Sequence, residues 1–86
     1  MGRVSRREKL LKRLASRPTD FRWTELVSLM TSLDFEMERA SGSGRKFVHP
    51  ATESTLYIHE PHPAKVLKSY QVRDAIDFLK KEGMLP

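Results

Sequence analysis

The stretch Ser41–Pro63, read S-G-S-G-R-K-F-V-H-P-A-T-E-S-T-L-Y-I-H-E-P-H-P, is polar and dense in turn-forming residues. Prolines 50, 61 and 63 fix φ and remove backbone donors, and Gly42 and Gly44 flank Ser43 in a turn-forming run. The stretch also holds every histidine of the chain, His49, His59 and His62. Helical patterns lie on either side of it. The middle therefore reads as a turn-rich β segment that carries the chemistry, with the helices as its support.

The β reading extends upstream. Phe35–Ala40 alternates, with Phe35 and Met37 on one side and Glu36 and Glu38 on the other, which is the two-residue period of a strand. Ser41–Gly44 is the following turn, and Arg45–His49 is a second strand stopped by Pro50. After a turn at Ala51–Glu53, Ser54–His59 is a third strand, with Leu56 and Ile58 opposed to Tyr57. Three consecutive strands joined by short turns predict an antiparallel meander.

The flanks are helical. Residues 4–16 predict a first helix, with Ser5 as N-cap, Glu8 completing a capping box, and Leu10, Leu11 and Leu14 as its apolar stripe. Arg17 precedes proline and ends it. A second helix begins at or just before Thr24 and carries Leu26, Leu29, Met30 and Leu33, while Phe21 and Trp23 read as core or lid residues. Glu60 and His62 each precede proline, so Glu60–Pro63 is extended. Ser69 is the expected N-cap of the last helix, which buries Val72, Ala75, Ile76 and Leu79 and stops at Gly83. The order helix, helix, three strands, helix predicts an α+β domain of two layers, with the flanking helices on one sheet face.

At 86 residues the chain is one domain, divided here into a basic helical extension, 1–19, and a core, 20–86. No apolar run approaches the ~20 residues of a membrane span, no secretory pattern opens the sequence, and a cytoplasmic location is expected. With no cysteine, disulfide and thiolate chemistry are excluded. The net charge of +5 favours polyanionic partners, of which nucleic acid is the commonest in the cytoplasm, against the plainer reading of a basic but inert surface. Arg6, Arg7, Lys9, Lys12 and Arg13 give the first helix a positive face, suited to RNA or to an acidic protein surface or else simply solvated.

Two motifs offer chemistry. Gly42-Ser43-Gly44 sets exposed N–H groups beside Arg45 and Lys46, a turn able to cradle a phosphate. In His59-Glu60-Pro61-His62-Pro63, a polyproline conformation with three residues per turn would bring His59 and His62 to the same side. Two imidazoles beside Lys65 and Lys68 suit RNA cleavage. One takes the ribose 2′-hydroxyl proton, the other protonates the leaving oxygen, and the cations stabilise the charged transition state. The plainer reading leaves His59 capping a strand edge and His62 packed in a proline turn. His-x-x-His spacing, with His49 or Glu60 nearby, is a weak metal pattern, and neither metal nor cofactor is expected. Lys68, Tyr70 and Arg73 open the last helix, whose positive dipole end favours phosphate, and Tyr70 either stacks on a base or packs on the sheet.

The element order, Gly42–Phe47 (G-S-G-R-K-F), His49-Pro50 and above all His59–Arg73 (H-E-P-H-P-A-K-V-L-K-S-Y-Q-V-R) resemble the HicA toxins over roughly residues 22–85. The resemblance implies a double-stranded-RNA-binding-domain-like fold, mRNA interferase activity that inhibits translation, and neutralisation by a HicB-like antitoxin. The basic first helix is an addition to the usual short form. Many family members carry Gly-Ser-His in the turn, with that histidine taken as catalytic; here the positions read Gly42, Ser43 and Gly44. Either His59 or His62 takes over the role, or cleavage is lost and the domain is a non-catalytic RNA-binding or partner-docking module.

Overall fold

The computed structural model describes residues 5–86. Helix α1 (Arg6–Ala15) and helix α2 (Trp23–Ser32) precede strands β1 (Glu36–Arg39), β2 (Gly44–Val48) and β3 (Thr55–His59), and helix α3 (Ser69–Lys81) closes the chain. The strands form one antiparallel sheet in the order β1-β2-β3. Met37 pairs with Phe47 in the first ladder, and Gly44 with His59 and Lys46 with Tyr57 in the second. The expected α+β meander flanked by helices is what the chain forms.

Local chemistry explains the boundaries. Ser5 caps α1, its hydroxyl accepting the Glu8 N–H at 3.1 Å; Val4, the first residue of the predicted helix, lies outside the described residues. Arg17 ends α1 in the left-handed region, φ 56°, rather than in the extended conformation usual before proline. At the start of α3 the N-cap is Lys68, one residue earlier than expected. The cause is Gln71, whose side-chain oxygen accepts the Lys68 N–H at 3.0 Å and makes Ser69 the first helical residue. β1 starts at Glu36 rather than Phe35, because the Phe35 N–H closes the end of α2 on the Met30 carbonyl (2.9 Å) and its ring enters the core.

Burial alternates along the sheet. Phe47, Leu56 and Ile58 face the helices, while Lys46, Tyr57 and His59 face water. One sheet face is covered and the other is open. β1 is the exception: Met37, on the Phe47 side, is 45% exposed, since all of this outer strand lies beyond the helical layer. α1 packs on α2 and α3, and its Leu10 and Leu14 join the same core as Leu29 and Leu79. Arg13 fastens it further, its guanidinium gripping the Glu25 carboxylate at 2.8 and 3.1 Å. A two-bond backbone ladder, Trp23 N–H to Lys65 carbonyl and Leu67 N–H to Phe21 carbonyl, pins the segment before α3 against the start of α2.

Candidate functional site

The glycine turn and the histidine–proline segment meet at one end of the sheet. Gly42 takes the left-handed conformation, φ 58°, that lets the Gly44 N–H reach the Ser41 carbonyl at 2.9 Å. Gly44 then enters β2 opposite His59. The Ser43 hydroxyl lies 3.2 Å from His59 Nδ1, and the Ser43 carbonyl accepts the Glu60 N–H at 2.9 Å. A serine hydroxyl both donates and accepts, so it can hold the His59 ring in either tautomer through Nδ1 and leaves Nε2 outside that contact.

His62 belongs to a neighbouring cluster. Beyond Glu60 the chain bends at 62–64 instead of continuing as a polyproline helix. His62 Nδ1 is 3.3 Å from Lys65 Nζ. An ammonium only donates, so Nδ1 accepts and the ring proton sits on Nε2. Lys65 Nζ also binds Glu60 at 2.8 Å, and Arg45 approaches the other Glu60 oxygen at 3.2 Å. The Lys65 contact, followed by the charge of Arg45, holds the Glu60 carboxyl below its usual range. Among the described residues no contact joins the two histidine rings.

The predicted phosphate contacts separate accordingly. Arg45 lies on the covered side, its side chain 14% exposed, and donates to the Gly42 and Gly44 carbonyls at 3.2 and 2.8 Å besides pairing with Glu60. Lys46 projects from the open face. Lys68 caps α3, and Tyr70 stands 48% exposed in its first turn. Arg73 is exposed and lines a groove with Ser69 and Arg17. His49 lies apart, its Nδ1 accepting the Ala51 N–H at 3.3 Å and its ring edge-on to Phe35. Among the described residues no cluster of histidine and carboxylate side chains is arranged to hold a metal.

Two residues were not read from the sequence as part of this region. Gln71 is the buried polar side chain of the core, and its amide donates to the His59 carbonyl at 2.8 Å while accepting from Lys68. Tyr57 sets its ring edge-to-face with His59, centroids 5.4 Å apart. The signal for Tyr57 was present, since residues two apart on a strand share a face. An apolar groove lies elsewhere, between α1 and the C-terminus, lined by Leu11, Ala15 and Leu85.

An α+β domain with three antiparallel strands between helices, and a glycine turn laid against a histidine-rich strand end, is the architectural class. Residues 23–83 match the family described as HicA toxin of bacterial toxin–antitoxin, and the chain belongs to the HicA toxin family. α1 precedes the matched segment. No curated protein and no solved structure matches the chain. Among the described residues no helix is long and apolar enough to cross a membrane.

Proposed function

We propose that this toxin is an endoribonuclease that cleaves mRNA, so inhibiting translation, and is held inactive by a HicB-like antitoxin. The contact between Ser43 and His59 Nδ1 is the observation that carries the reading. It supports an imidazole that is oriented, solvent-facing and free to exchange a proton through Nε2. In the reaction His59 takes the proton of a ribose 2′-hydroxyl, whose oxygen attacks the adjacent phosphorus. The bond to the 5′-oxygen breaks, and His62, as an imidazolium that has given up its contact with Lys65, protonates that leaving oxygen and returns to the neutral form. The products are a 2′,3′-cyclic phosphate and a 5′-hydroxyl. Lys46 and Lys68 stand exposed to balance phosphate charge, whereas Arg45 and Lys65 act through Glu60 to hold the loop.

The test is cleavage of a structured mRNA by purified protein with a chelator present, beside His59→Ala and His62→Ala. Loss of roughly 10²-fold or more in either variant, with folding intact, is the expected result for general acid–base catalysis. Wild-type protein that binds RNA without cutting it would transfer the assignment to the non-catalytic module, for which the bare Gly44 is the favouring feature.

A further inference from the structure

The open sheet face carries an aromatic platform beside His59. Tyr57 is 50% exposed and pairs directly with Lys46 across β2. Its ring does not stand away from the sheet. A Cβ placed on Gly44, two residues along β2, would lie 2.4 Å from the Tyr57 hydroxyl and 3.1 Å from the ring carbon that bears it. The phenol therefore reclines diagonally over Gly44, in space that any side chain at position 44 would take. One face of the ring is turned to the sheet and the other to solvent. The His59 imidazole stands at 86° to it, so the two rings make a corner.

That corner has the shape of a nucleotide site. A base lying on the free face of Tyr57 would present its edge and ribose to His59, while Lys46 flanks the same platform with a cation. We infer that Tyr57 is a base-stacking residue that seats a single-stranded nucleotide against His59, and that Gly44 is bare so that the ring can lie down. The inference deepens the RNA-cleavage reading and rests on it only for the choice of polymer. Stacking is sequence-tolerant, because every base has a π face. The hydroxyl has no part in it, so the phenylalanine variant should serve equally well. An aromatic ring over a strand glycine can also act purely as structural cover, and the two roles separate by measurement.

The probe is a short single-stranded 2′-O-methyl RNA, which lacks a free 2′-hydroxyl nucleophile and so reports binding independently of catalysis. With the full chain, Tyr57→Ala is expected to weaken binding by about 5- to 150-fold, the range of one base stack, and Tyr57→Phe to leave it unchanged. Gly44→Ala keeps a φ that alanine tolerates but displaces the phenol and brings a Cβ to 3.0 Å from the Ser41 carbonyl, so with the turn intact by its melting curve it should reproduce the Tyr57→Ala loss without adding to it in the double variant. On unmodified RNA the Tyr57→Ala defect should fall mainly on KM rather than kcat. Lowered stability with unchanged affinity in Tyr57→Ala would reduce Tyr57 to structural cover. A loss in Tyr57→Phe as large as in Tyr57→Ala would place the role on the hydroxyl and overturn stacking. Should wild type bind the probe but cleave no RNA, stacking stands and the catalytic reading falls; a wild type that does not bind at all overturns both.

Discussion

Lys46 and Phe47 are neighbours in the chain and point to opposite sides of one strand, and the two sides obey different rules. Phe47 is wholly buried, with its ring 5.7 Å from that of Trp23, in a face closed by Leu56, Ile58 and the helices. Lys46 shares its face with Tyr57, His59 and Glu38, all in water. The covered face is constrained by volume and apolarity, because interiors pack at crystal-like density. The open face is constrained by the strand period and, at Gly44, by the Tyr57 ring that lies over it. Chemistry can therefore change at exposed positions such as Lys46 without unfolding the domain.

The contrast can be broken most forcefully at Phe47. Phe47→Ala should cost about 3–5 kcal/mol of stability through lost burial and the cavity left behind, read as a fall in the denaturant midpoint. Glu60 tests the boundary, since it receives Arg45 from the covered side and Lys65 from the loop. Glu60→Gln should cost roughly 1 kcal/mol, because Lys65 is half exposed and water screens that pair. The sign of its pH dependence follows from its depressed pKa. The stabilisation is complete above the usual glutamate value of 4.5 and is lost as pH falls through that value toward the lower folded one. Wild type should therefore lose more stability than Glu60→Gln across that acid window, as measured by thermal melts. Lys46→Ala should have the smallest effect on folding, within about 0.5 kcal/mol. Under the RNA reading it should instead lower the salt dependence of single-stranded RNA binding by roughly 0.7 in the log–log slope.

Local patterns were legible in the sequence, and distant pairings were not. Alternation exposed the three strands, and the spacing of Leu26, Leu29 and Met30 exposed α2, because both periods are written in adjacent residues. The last helix was legible to within one residue; the displacement came from Gln71, whose amide bonds reach both Lys68 and β3. The ladder between Phe21–Trp23 and Lys65–Leu67 has no periodic signature at all, since its partners lie more than forty residues apart. Both halves of the candidate site were visible as motifs. That Ser43 would meet His59, and that Arg45 would turn inward to Glu60, depends on a hairpin register that composition does not encode.

Gln71 gives His59 one further property. With its carbonyl tied to that buried amide and its residue locked in the ladder opposite Gly44, the histidine backbone has no freedom left to lose. Only the two torsions of the imidazole arm remain, and Ser43 restrains those. Backbone ordering costs about 1–2 kcal/mol per residue, and here it is met when the protein folds rather than when a substrate arrives. A histidine on a free loop would meet that cost at every encounter, so under the RNA-cleavage reading immobility at the end of β3 is itself a contribution to rate.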